Sequence, residues 1–221
     1  MIPLQLTPEP DDFDKNVREK GAIFLKVTPN PSSKDFSGKD FWKKSAHSLH
    51  SSYKAICAYS CISLPTAPGA VDHFLPKSKY PQLAYEWSNY RLCLDKINQY
   101  KGSAENICDP FTIQPGWFVL DFPSCLVKAG ENLTSDITEK IENTIKILKL
   151  NADEGLVDNR LGIIMDLIDG HVDMHFIEKR YPFIALEIKR QGIEADIKKI
   201  FKKSQPYITA ENNMNVFSLK K

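Results

Sequence analysis

The sequence predicts an α+β fold in which a short strand–strand–helix core is embedded in a mostly helical chain. Three observations lead there. Two stretches carry apolar residues at helical spacing, Trp42 to Ile56 and Ile137 to Leu148. Two brief apolar segments read as short strands: Ala70–Phe74, bounded by Pro68-Gly69 and Pro76, and the polar-flanked Asn89–Cys93. A helix of barely two turns follows the second of them and stops at Gly102. The chain divides accordingly into an N-terminal arm and helix (1–56), the core (57–130) and a C-terminal helical region (131–221).

Residues 7–38 are rich in Pro, Asp, Ser and Lys, with Thr28-Pro29-Asn30-Pro31 in the middle, and read as an extended arm wrapped over the rest of the chain. From Asp40, the set Trp42, Ala46, Leu49, Tyr53 and Ile56 recurs at steps of four, three, four and three, which is one buried helix face. His47 and His50 lie off that stripe and are expected in solvent. Pro65, Pro68 and Gly69 make a loop into a strand that ends near His73. Leu83–Trp87 reads as a turn, Asn89–Cys93 as the second strand, and Leu94–Tyr100 as the short helix.

Gly116–Asp121 is expected to be a strand with Leu126-Val127 as its partner. Asp136 and Glu139 stand at capping-box spacing ahead of the stripe Ile137, Ile141, Ile145 and Leu148. Further helices are expected near 157–169, 174–191 and 193–203, with Pro182 breaking or starting one and Gly192 separating the last two.

Composition narrows the function classes. With 42% hydrophobic and 26% charged residues the chain folds like an ordinary globular protein. A net charge of +1 excludes a global basic field, so any nucleic-acid contact must be local. No apolar run reaches membrane-spanning length and the N-terminus lacks signal-peptide character, which points to the cytoplasm and away from membranes. Five scattered cysteines suit reduced thiols.

The chemistry concentrates in Val71-Asp72-His73-Phe74-Leu75-Pro76-Lys77, Trp87-Ser88-Asn89-Tyr90-Arg91-Leu92 and Ile97-Asn98-Gln99-Tyr100-Lys101-Gly102. An imidazole takes a proton from water near neutral pH with little tuning, which makes His73 a candidate general base. Carboxylate and amide oxygens suit a hard ion such as Mg²⁺ or Mn²⁺, which makes Asp72 and Asn98 candidate ligands. In a regular strand Asp72 and His73 point to opposite faces, so serving one site requires a twist or a strand end between them.

This constellation resembles the HNH endonuclease family, in which an Asp-His pair ends one strand, an Asn follows a loop, and a His or Asn on the next helix completes a cradle around one divalent metal. Asn89 stands sixteen positions after His73 and Asn98 nine after Asn89, intervals that suit the family. The resemblance implies His73 as base, Asp72 and Asn98 as metal ligands, and Asn89 as the residue that holds the loop so that the base points correctly. Lys101, Lys77 and Lys79 become candidate phosphate contacts.

Together with Cys57-Ala58-Tyr59-Ser60-Cys61, Asp109-Pro110-Phe111 and Gly116-Trp117-Phe118, the motif resembles the bacterial HNH proteins of Septu and certain retron anti-phage defence systems. That implies a DNA-cleaving effector partnered by an ATPase of the ABC or SMC-like kind. Alternatives are a catalytically silent nucleic-acid- or partner-binding adaptor on the same scaffold, and a nuclease acting on RNA or a tRNA. Many HNH proteins hold a structural zinc with paired Cys-x-x-Cys. Here Cys57 and Cys61 are one residue too far apart and only Cys93 precedes Asn98, so Cys57, Cys61, Cys93 and Cys108 are expected as buried thiols rather than zinc ligands. His171 and His175 are expected in a polar loop, and Lys198-Lys199 with Lys202-Lys203 as a basic helix end that complements the dipole, the alternative for these four together with Lys220-Lys221 being a grip on a DNA backbone.

Overall fold

The computed structural model describes residues 1–203 apart from Ala67, and shows helices around two small antiparallel sheets. Lys220 and Lys221, and the side chains of Lys202 and Lys203, lie outside the described residues.

The arm is not extended. A π-helical stretch, Asp14–Arg18, runs directly into α1, Glu19–Val27. Phe13, Val17 and Gly21 are buried along one side at steps of four, and the prolines that suggested irregular chain flank the helix instead of interrupting it. Gly21 is where α1 meets the core: a Cβ there would fall 2.1 Å from Cγ of Tyr85, so only a bare backbone can approach that ring.

A 3-10 turn, Phe41–Ser45, leads into α2, Ala46–Ser52, and Trp42, Leu49, Tyr53 and Ile56 are buried as their spacing requires. His47 is exposed. His50 departs from expectation: its Nε2 lies 2.6 Å from the carbonyl of Leu64, so the ring ties α2 to the loop before the next strand.

β1 (Ala70–His73) pairs with β2 (Tyr90–Cys93), with Ala70 opposite Cys93 and His73 opposite Tyr90. Two 3-10 turns, Pro81–Leu83 and Trp87–Asn89, fold the connection. α3 (Asp95–Lys101) then packs on β1 and is stopped by Gly102 at φ 49°, ψ −121°, a conformation that disfavours residues with a Cβ.

β3 (Phe118–Asp121) and β4 (Leu126–Ala129) form the second hairpin. Five helices follow among the described residues: α4 (Ser135–Ile147), α5 (Glu154–Asp169), α6 (Met174–Arg180), α7 (Pro182–Gln191) and α8 (Ile197–Lys203). The helix expected over 174–191 is therefore two, with Pro182 starting the second, because proline is accommodated in a first turn. α5 starts three residues earlier than expected. The Asp136/Glu139 capping box does not form: α4 begins at Ser135, which places Asp136 inside the first turn where its charge meets the helix dipole. Asp173 caps α6 by accepting from the amide of Phe176 at 2.8 Å, and both His171 and His175 are exposed.

A single hydrophobic cluster draws on all three segments, from Met1 to Phe201. The C-terminal helices also brace α3: Tyr100 donates to Asp153 Oδ2 at 3.0 Å and Lys96 pairs with the same carboxylate at 2.8 Å, at the entrance to α5. Among the described residues no helix is long and apolar enough to cross a membrane.

Candidate active site

His73 is the last residue of β1, so the chain leaves the regular pleat there. Asp72, His73 and Asn98 accordingly line one cleft of about 360 Å³, together with Ser33, Trp42 and Lys77 among others. The strand end resolves the alternation problem between Asp72 and His73.

His73 is 7% exposed. Its Nε2 lies 2.8 Å from the carbonyl oxygen of Ala84. A carbonyl only accepts, so Nε2 carries the proton and Nδ1 of the neutral ring keeps its lone pair. The rings of Trp42 (4.8 Å, 83°) and Tyr90 (5.3 Å, 81°) meet the imidazole edge-on and fix its plane. Burial, helped by the ammonium groups of Lys77 and Lys101 and opposed by the hydrogen bond to Ala84, lowers its pKa to about 3. The ring is neutral at physiological pH.

Asn89 fixes what His73 leans on. Its Oδ1 accepts from the Leu75 amide at 2.8 Å, and its Nδ2 donates to the carbonyls of Leu75 (3.0 Å) and Leu83 (3.2 Å). The Asn89 carbonyl also accepts from the Phe74 amide at 2.9 Å. One buried amide thus clamps both ends of the 74–84 loop, and the carbonyl of Ala84 is the residue next to that clamp. Tyr90 steadies the same carbonyl by donating to it at 2.9 Å.

Asp72 is 2% exposed. Its Oδ2 accepts from the Tyr59 hydroxyl at 2.5 Å and its Oδ1 lies 3.0 Å from the Lys101 ammonium. Each oxygen keeps a further lone pair. Tyr59 stays protonated as a donor, because burial and the Asp72 charge push its pKa well up. It is delivered by the segment that pairs Ala58 N with Leu92 O, 2.8 Å apart, alongside β2.

The three lysines separate. Lys101 is fully buried and donates to the His73 carbonyl at 2.7 Å as well as pairing with Asp72, so it is not offered to a neighbouring phosphate. Lys79 is exposed and pairs with Glu105, outside the residues that line the cleft. Lys77 alone lines the cleft, its Nζ 5.1 Å from the Trp42 ring centroid and 5.8 Å from that of Phe36. Burial lowers the Lys77 pKa, against a raising pull from Asp72.

Asn98 is half-buried on α3 and its amide makes no side-chain hydrogen bond among the described residues. No three His, Cys, Asp or Glu side chains converge as a metal cluster among the described residues. What the cleft does provide is one carboxylate with spare lone pairs and one uncommitted amide. Both are hard oxygen donors, and they fit a Mg²⁺-like ion that takes one or two protein oxygens and fills its shell with water and phosphate.

Cys57, Cys61, Cys93 and Cys108 are buried free thiols. Leu94 N lies 3.4 Å from Cys57 Sγ, and the Cys57 thiol is drawn down to about 6 by contacts with Cys93, Ser60 and Leu94 N that outweigh burial. Cys108 instead sits against Thr144, whose hydroxyl accepts the Cys108 amide at 2.7 Å.

Sequence reasoning did not single out Tyr59, the Ala84 carbonyl or the placement of Trp42 in the cleft wall against His73. Trp42 carried a signal, but as a core position. The Ala84 carbonyl carried none, since any residue supplies a backbone oxygen.

These parts define the class of site: a buried neutral imidazole oriented by a backbone carbonyl, beside a carboxylate and an amide, in a polar cleft with one cleft-lining ammonium. No family model matches the chain, and no match to a curated protein reaches significance.

Proposed function

We propose that the chain is a metal-dependent phosphodiesterase of the HNH type, an endonuclease acting on DNA as the effector of a bacterial anti-phage system, partnered by an ABC or SMC-like ATPase. The observation that carries the chemistry is the shared cleft of His73, Asp72 and Asn98, in which the Ala84 carbonyl assigns the proton of His73 to Nε2. The strand–strand–helix order of β1, β2 and α3 around that cleft supports the HNH reading. The biological setting rests on the sequence resemblance.

In this reading Nδ1 of His73 accepts the proton of an attacking water, and Ala84 stabilises the resulting imidazolium through Nε2–H. Asn89 and Tyr90 keep that carbonyl in place. Asp72 and Asn98 would hold Mg²⁺ or Mn²⁺, which supplies charge neutralisation at the phosphate and the leaving oxygen. Lys77 contributes a positive charge at the cleft. The rings of Trp42 and Tyr90 exclude water from the flanks of the imidazole.

Purified protein with Mg²⁺ or Mn²⁺ should nick plasmid DNA, and His73→Ala should abolish nicking while leaving the unfolding transition in place. Unchanged nicking in that variant refutes the assignment. RNA of the same sequence, assayed in parallel, distinguishes the ribonuclease alternative.

One observation favours the second reading, a silent adaptor: the Lys101 ammonium already stands at Asp72 Oδ1. Metal titration separates the two. An enzyme gains thermal stability from Mn²⁺ through a site lost in Asp72→Ala, whereas an adaptor shows no such protection.

A further inference from the structure

The chain as a whole is nearly neutral, yet its charge is unevenly placed. Residues 15–44 carry eight Lys or Arg against three Asp or Glu, a net +5, in a chain whose total is +1. This segment is also a wall of the catalytic cleft, since Ser33 and Trp42 line it. In the same segment, Lys20 and Lys39 line a groove of about 500 Å³ with Phe24, Phe41 and a single acidic residue, Asp35.

The two rims of the cleft differ in how their cations are used. Near Ser78, Ser103 and Asn98, Lys79 is paired with Glu105 and Lys96 with Asp153. On the arm, Lys20, Lys34, Lys39 and Lys44 make no ion pair among the described residues. Lys44 moreover stands beside Lys20, and its like charge lowers the Lys20 pKa. Folding gains nothing from two ammonium groups in contact at a surface, whereas a polyanion laid across them relieves the repulsion. A polynucleotide strand whose scissile phosphate sits at His73 continues past the cleft with a further phosphate at every nucleotide. Among the unpaired cations, Lys34 follows Ser33 of the cleft wall in sequence, and Lys20 and Lys39 line the groove beside Phe24 and Phe41.

We propose that the basic face of the arm, Lys20, Lys34, Lys39 and Lys44, docks the phosphodiester backbone of the polynucleotide as it leaves the cleft. The inference rests on the nuclease reading for what occupies the cleft. The contact is with phosphates and carries affinity without base preference. Ile23 and Val27, 69% and 81% exposed on α1, line the same groove as Lys20 and Lys39 and would suit a protein partner, but two apolar side chains are an ordinary surface feature.

The test uses the full-length chain with His73→Ala, in EDTA, and a fluorescein-labelled 30-base-pair duplex read by anisotropy across a salt series. Lys20→Glu/Lys44→Glu should weaken binding at least about tenfold and reduce the slope of log K against log salt by about 2, since each lost phosphate contact removes ~0.9. Lys20→Gln/Lys44→Gln should give a smaller loss in the same direction. The control Lys140→Glu/Lys146→Glu makes the same change of net charge on α4, where both lysines are exposed, and should weaken binding less than about threefold if the field is local.

Equal losses in arm and control variants, no loss in either, or no duplex binding by the parent each overturn the proposal. Hydrolysis of bis(4-nitrophenyl) phosphate with Mn²⁺, with His73 restored, reads the chemistry separately. The arm variant should retain it, and its absence in the wild type counts against the nuclease reading while leaving the docking result standing.

Discussion

Lys101→Met removes an ammonium that reaches both residues at the end of β1. Lys101 Nζ lies 3.0 Å from Asp72 Oδ1 and 2.7 Å from the His73 carbonyl, and neither side chain of the ion pair is more than 2% exposed. Deleting one member of a buried pair leaves the other charge uncompensated, at a cost of about 3–5 kcal/mol, well above an exposed pair's ~0–1. The unpaired His73 carbonyl adds about 1–3 kcal/mol. Methionine matches the stem closely enough that little of the effect is cavity. Urea unfolding should therefore show Lys101→Met destabilised by roughly 4 kcal/mol or more, with an unchanged m-value. Asp72→Asn/Lys101→Met should be less destabilised than the two single losses added together, with a coupling of about 1–3 kcal/mol, because the double variant leaves no buried charge alone. A Lys101→Met protein within about 1 kcal/mol of the parent refutes the buried-pair assignment. In that event Lys101 would be an outward cation, as its place after Asn98 first suggests, and the variant would instead show a raised KM with normal stability.

Three other outcomes follow from the same geometry. Asn89→Ala releases three side-chain hydrogen bonds from the 74–84 loop; it should cost about 2–4 kcal/mol in urea unfolding and, on the proposed nuclease reading, lower kcat far more than metal affinity, measured by Mn²⁺ titration. Because His73 is held at about 3 in the fold against about 6.5 unfolded, the unfolded chain binds a proton that the folded chain refuses between those values. Stability is then full above pH 6.5 and falls as pH drops, by up to ~1.4 kcal/mol per unit. His73→Gln should lack this component of the acid limb in unfolding curves at pH 4–7, and identical slopes would refute it. Gly21→Ala drives a Cβ into the Tyr85 ring. It should lower Tm by an amount equivalent to about 1–3 kcal/mol, where an ordinary helical Gly→Ala would raise it.

The part of the site that was legible in the sequence is the part that local chain chemistry determines. Pro65, Pro68 and Gly69 before an apolar pair announce β1, and Gly102 announces the end of α3. Asp72, His73 and Asn98 then fall into one cleft because a two-strand hairpin followed at once by a short helix leaves few other arrangements. α1 was illegible for a specific reason. Its buried side, Phe13, Val17 and Gly21, has helical spacing, but a glycine adds nothing to an apolar stripe, and the residue that makes Gly21 necessary, Tyr85, lies sixty-four positions away.

The lysines show where such reading stops. Lys77, Lys79 and Lys101 are alike in the sequence, each a cation near the motif. Lys79 meets Glu105 at the surface, Lys77 lies over the rings of Phe36 and Trp42, and Lys101 turns inward to Asp72. Spacing on α3 puts Lys101 on the same side as Asn98, three residues back, but does not say whether that side faces solvent or strand. The packing of α3 on β1 decides it, and the bracing of α3 by Tyr100 and Lys96 on Asp153 maintains that packing. The ion pair of Lys101 with Asp72 and the amide clamp of Asn89 hold the end of β1 in register with the helix. A cradle assembled from one buried ion pair and one buried amide should then loosen as a unit. Hydrogen exchange at the Leu75 and Phe74 amides should accelerate together in Lys101→Met, although neither amide touches that side chain.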